Sequence, residues 1–136
     1  MAAPNPRKYH TDQIHYLRFD VAYNESGISS GVKKGTLPAN AIIVGTDVLI
    51  TTAFNAATTN SLTVGGNSAN YNDIVNAAGV DETSVGLTQN ITPNASTAKG
   101  SFSADTDIYV MFQQTGTAAT TGSADIMVKY IPPNDA

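Results

Sequence analysis

Cysteine and tryptophan are both absent from this chain of 136 residues, and charge is scarce, at 13% of positions. Without cysteine there is neither a disulfide framework nor a thiolate metal site, so stability has to come from burial and backbone pairing. Without tryptophan, the chain lacks the large ring that most readily stacks on a sugar. An ordinary soluble domain is about 25% charged; here Ser, Thr and Asn fill the vacancy, and such a surface hydrogen-bonds well and repels weakly. The net charge of −4, with no basic stripe, argues against nucleic acid as the main partner, because phosphate binding rests on clustered Lys and Arg. No window approaches the roughly 20 apolar residues of a membrane span. The segment Met1 to Gln13, broken by Pro4 and Pro6, holds no apolar run of signal-peptide length, so a soluble, cytoplasmically made protein is expected.

What the chain does have is strand after strand. A single domain of this length buries roughly two thirds of the surface its unfolded form would expose. The longest strand runs from Ala41 to Phe54: Ile42, Val44, Val48, Ile50 and Phe54 occupy even positions, while Gly45, Asp47, Thr51 and Ala53 occupy odd ones. That period of two predicts a half-buried strand with the even side chains inside, although Ile43 and Leu49 interrupt the polar face. A first strand places His15, Leu17, Phe19, Val21 and Tyr23 on one face, and short strands are expected over 31–36, around Leu62 and Val64, over 85–91 and around Phe102. In the C-terminal third, Ile108, Val110 and Phe112 alternate, as do Ala124, Ile126, Val128 and Tyr130, which predicts a hairpin across the loop at 115–122. One short helix is expected, capped by Asn70 or Asn72, carrying Asp73 in its first turn, running through Ile74, Val75 and Ala78, and stopping at Gly79. Seven to nine strands without a βαβ rhythm predict an all-β fold, a two-sheet antiparallel β-sandwich of jelly-roll type with at most one short helix. A small closed barrel is the alternative, and an immunoglobulin-like domain would usually bring the Trp and paired Cys that are missing.

Reactive constellations are few. The two histidines, His10 and His15, have no neighbouring nucleophile motif, and His15 shares the apolar face of the first strand, which suits a histidine bonded at a sheet margin. Asp105-Thr106-Asp107 and Asp81-Glu82 lack the loop of alternating acids that a calcium site requires and read as turn formers. Gly65-Gly66 is followed by no Lys-Ser/Thr, so it is no phosphate loop, and no pair of acids flanked by aromatics suggests glycoside hydrolysis. The Asn-x-Ser/Thr triplets at Asn24, Asn90 and Asn94 are expected products of the composition. No catalytic residue, metal or cofactor is expected.

Two features suit binding. Arg7, Lys8, Tyr9 and His10 form the one basic cluster of an acidic chain, on a proline-stiffened segment that reads equally as an arm reaching a neighbour or as a frayed terminus. Exposed strand edges and Ser/Thr/Asn-rich faces can add hydrogen bonds to a partner when many copies are arrayed.

The run GTLPANAIIVGTDVLITTAFNAATTNSLTVG and the closing DIYVMFQQTGTAATTGSADIMVKYI resemble the small capsid cement or decoration proteins of tailed bacteriophages, and are most like the jelly-roll cement protein of a Bordetella podophage. The resemblance covers about Gly35 to Ile131. It implies a non-enzymatic virion structural protein, made in the host cytoplasm, that binds the outer capsid surface and cements neighbouring major capsid subunits. It also implies self-association as a dimer or trimer, with neither nucleic acid nor membrane as partner. On that reading residues 1–13 form an extended N-terminal arm, 14–131 the sandwich and 132–136 a short tail. Arg7, Lys8, Tyr9 and His10 are then placed at the capsid contact on grounds of charge. A tail, fibre or carbohydrate-binding sandwich module is the alternative.

Overall fold

The computed structural model describes residues 14–66 and 70–132. The described residues form seven strands, β1 (His15–Ala22), β2 (Val32–Leu37), β3 (Ile42–Thr52), β4 (Thr59–Gly65), β5 (Gly86–Ile91), β6 (Thr106–Thr115) and β7 (Ser123–Ile131). They make two antiparallel sheets, one ordered β1-β7-β3-β5 and the other β2-β6-β4. The pairs β1–β7, β2–β6 and β3–β5 nest inside one another along the chain, and the innermost pair is a bridge between Val64 of β4 and Val75. The chain is thus one long hairpin, doubled back near Gly66 to Asp73 and rolled so that successive strands alternate between sheets, which is the jelly-roll path.

The registers explain the core. On the inner face of the four-stranded sheet, Leu17, Val128, Thr46 and Ile91 form one row, Phe19, Ile126, Val48 and Thr88 the next, and Val21, Ala124, Ile50 and Gly86 a third. Leu37, Leu62, Val64, Ile108, Val110 and Phe112 face them from the other sheet, and all are buried. Phe54 joins from beyond the end of β3, its ring 4.6 Å from that of Phe112. Among the buried polar side chains, Thr46 stands out: its Oγ1 is fully buried with no hydrogen-bond partner among the described residues. A hydroxyl desolvated without compensation costs about 1–3 kcal/mol. Thr46→Val keeps the shape and removes that cost, so it should stabilise the protein by roughly 1 kcal/mol in urea denaturation.

Four expectations need correction. The first concerns β3, where Ile42 and Val44 are 42% and 40% exposed while Ile43 is buried. Ile43 pairs with Tyr130 and Gly45 with Lys129, so Val44 is an extra residue in the ladder. One inserted residue reverses the phase: odd side chains point inward before the bulge and even ones after it. The second concerns the expected helix. Neither Ile74 nor Val75 is helical, and Val75 forms a β-bridge, its N–H donating to Val64 O at 2.9 Å and Val64 N–H to Val75 O at 3.0 Å. Both side chains are 1% exposed, and burying two β-branched residues against β4 outweighs a two-turn helix. Asp73 instead accepts Gly66 N–H at 2.9 Å and Thr97 Oγ1–H at 3.1 Å, clamping the turn. Among the described residues the helical turns are 3-10, at Ala77–Gly79 and Ser96–Ala98. The third concerns β6 and β7, which are not a hairpin: β6 pairs with β2 and β4, β7 with β1 and β3, and the loop between them crosses from one sheet to the other. Fourth, the strand expected around Phe102 is reduced to a bridge between Ser101 and Ile42.

Candidate interaction surface

The four-stranded sheet leaves its outer face open, and the same registers set what that face displays. At one end Ile131 pairs with Ile42, and continuing the β1 register brings Ile14 opposite Ile131. Ile14, Ile42, Val44 and Ile131 are exposed there beside Tyr16, itself 63% exposed. The bulge is what turns Ile42 and Val44 to this side. At the other end Leu49 pairs with Leu87, with exposed Val85 two residues along from Leu87.

Between the apolar ends lies a polar network that fixes the sheet's far edge. Lys129 Nζ stands 3.2 Å from Asp47 Oδ1 and donates to Asn90 Oδ1 at 2.7 Å, while Asn90 N–H donates to Asp47 Oδ1 at 2.9 Å. Asn90 has φ 57°, so its main chain sits in the left-handed region and turns its N–H toward the carboxylate. Gly45 lies against this network: a Cβ there would stand in ordinary van der Waals contact, 3.4 Å from Asn90 Cα and 3.7 Å from Lys129 Cε. Arg18 and Asp125 form a second ion pair at 3.2 Å on the same face, much more open to solvent. Exposed pairs of this kind contribute little stability.

The outer face of the three-stranded sheet is partly covered. Residues 70–78 fold over β4 and β6 and leave an open trough of about 380 Å³, lined by amides and hydroxyls such as those of Thr63, Asn72 and Gln113 and, in equal part, by apolar groups of Ala77, Ala78 and Met111. No carboxylate lines it. Tyr71 and Tyr109 stack on each other at 4.5 Å, so each ring already covers a face that a sugar would need.

The acids singled out by sequence serve the fold. Asp105 Oδ1 accepts Ala39 N–H at 2.8 Å. Asp107 is held below the usual carboxylate range by the Thr36 hydroxyl at 2.9 Å and then by Lys33. Asp81 is likewise lowered by hydrogen bonds from Thr83. Among the described residues no group of three His, Cys, Asp or Glu is placed to hold a metal ion. His15 packs on its cross-strand partner Tyr130, ring centroids 5.8 Å apart, at the margin of the sheet. Arg7, Lys8, Tyr9 and His10 lie outside the described residues.

Glu82 is the exception to this pattern. It is 6% exposed, and its Oε1 accepts Leu62 N–H at 3.0 Å. Burial pushes its carboxyl above the ordinary value, against the lowering effect of that hydrogen bond. The folded protein therefore binds the proton more tightly than the unfolded chain, and stability falls as pH rises from the ordinary glutamate range through the raised native value. Glu82→Gln keeps an acceptor for Leu62 and removes the buried charge. It should be more stable than the parent at pH 7, with the gap closing as pH falls toward 4, measured as the difference between two urea-denaturation series.

No family model matches the chain, and no curated protein matches it. Solved structures do match in fold. A chain of the cyanophage Pam1 capsid asymmetric unit aligns over 88% of this chain and 85% of its own length, with TM-score 0.65 and 18% identity. A chain of the acidic stable capsid structure of Helicobacter pylori bacteriophage KHP30 aligns over 89% of each, with TM-score 0.65 and 14% identity. A chain of the capsid of Ralstonia phage GP4 aligns over 90% and 86%, with TM-score 0.59 and 19% identity.

Proposed function

We propose that this protein is a non-enzymatic virion component that binds the outer surface of a phage capsid and cements neighbouring major capsid subunits. The observation that carries the reading is the likeness, over at least 85% of each chain, to three chains taken from phage capsid structures. The surface agrees with it. A rigid sandwich with an open sheet face and exposed Ile14, Ile42, Val44 and Ile131 offers modest apolar area without reactive groups. A contact of that size is weak alone and strong when many copies bind a repeating shell. The 1–13 arm, with Arg7, Lys8, Tyr9 and His10, adds a basic contact for acidic shell patches.

Sedimentation with empty capsids of the same virion tests this. The protein should pellet with the shells at a fixed ratio of copies to capsid subunits; a protein left in the supernatant at every ratio defeats the reading. Removing residues 1–13 should weaken pelleting, and unchanged affinity would take the arm out of the contact.

A further inference from the structure

Four strands lie at sheet edges, and they are not protected alike. β2 carries Lys33 and Lys34 and a register break between Lys33 and Gly35. β5 is broken where Thr46 and Val48 meet it, and Asn90 turns its main chain out of line. β4 has its outer side occupied by the bridge to Val75. Lysines, bulges and covering segments are the devices by which proteins keep an edge from pairing with another chain. Among the described residues β1 has none of them. Its eight pairs with β7 run without a shift, it contains no proline or lysine, and no residue in it has positive φ. Among the described residues, the main chain from Tyr16 to Val21 bonds only within the ladder to β7.

The charges on β1 are also incomplete. Asp20 stands directly opposite Asp125, a like-charge cross-strand pair, and Arg18 is engaged with Asp125. Asp20 itself has no hydrogen bond or ion pair among the described residues. We propose that the β1 edge pairs antiparallel with β1 of a second copy, about a twofold axis through Phe19, joining two four-stranded sheets into one of eight.

The register follows from side-chain parity and charge. A twofold axis between two residues would set inner-face side chains opposite outer-face ones, so the axis has to pass through a residue pair. An axis through Arg18 places two arginines together, and one through Leu17 leaves Asp20 beyond the useful overlap. An axis through Phe19 sets Arg18 opposite Asp20 of the second copy twice over, Leu17 opposite Val21, and Tyr16 opposite Ala22. Each Asp20 gains a cation that no described residue of its own chain supplies, and the apolar inner rows continue across the junction.

Sedimentation equilibrium of the full chain from about 1 to 100 μM, the range of weak protein pairs, reads this directly. A monomer–dimer equilibrium is expected. Asp20→Arg should weaken it at least about tenfold, since both charge pairs become repulsive. Within each chain the same change replaces a like-charge pair with Asp125 by an opposite-charge one, so the melting temperature should not fall. The exchange Arg18→Asp with Asp20→Arg restores both contacts and should restore the dimer. A monomer throughout that range, or a dimer indifferent to Asp20→Arg, overturns the proposal. No capsid enters the measurement, so it stands or fails apart from the shell-binding reading.

Discussion

Gly122→Ala should cost about 3–5 kcal/mol and leave little folded protein at 37 °C, read as lost soluble yield and a melting temperature lowered by well over 10 °C. Gly122 has φ 148°, where a side chain is strained. A Cβ there would enter the ring of Phe54, 2.7 Å from Cγ and 2.8 Å from Cε2. That ring cannot retreat: Phe54 is 1% exposed and packed on Phe112. The main chain is held as well, since Gly122 O accepts Tyr23 N–H at 3.0 Å where the loop from β6 enters β7. Overpacking alone costs about 1–3 kcal/mol, and the strained backbone adds a comparable amount. A suppressor is expected in Phe54→Leu, which opens space for the added methyl and should recover part of the loss in the double variant.

Most strands were legible because alternation is a local property. Phe19 and Val21, or Ile126 and Val128, declare an inner face without reference to anything distant. Partners were less legible. The apolar rows of β6 and β7 are as regular as those of a hairpin, and only the length of the loop at 115–122 hinted that the chain crosses the roughly 10 Å between sheets instead of turning back. Nor did the helix signals around Asp73 mislead through chance. An acid, an asparagine and a glycine serve equally to cap a helix and to close a tight turn, and the decision was made by Val64, a residue at the far side of the loop.

The character of the surface was legible, its detail was not. Scarcity of charge and of reactive groups is as plain in the sequence as on the folded surface. Asp47, by contrast, read as a solvent-facing residue of β3 and proves to be 9% exposed, because Lys129 and Asn90 close over it. Both partners lie over 40 residues away in the chain, and neighbouring Gly45 does not by itself announce them.

That glycine also marks the bulge, where two neighbouring substitutions should have opposite outcomes. Ile43→Asp buries an uncompensated carboxylate in the core and should cost about 4 kcal/mol or more, enough to unfold the domain. Val44→Asp, one residue on, meets solvent and should change stability by less than about 1 kcal/mol. Unbroken alternation along β3 predicts the reverse, with Val44 inside and Ile43 outside, so urea denaturation of the two variants measures the bulge itself. The comparison reaches function as well. If the outward apolar end of the sheet contacts a capsid, Val44→Asp should remain folded and pellet poorly with shells, because the inserted residue turns apolar area outward at a position where the ladder alone would have buried it. A folded Val44→Asp that pellets as well as the parent would move the contact to another face of the sandwich.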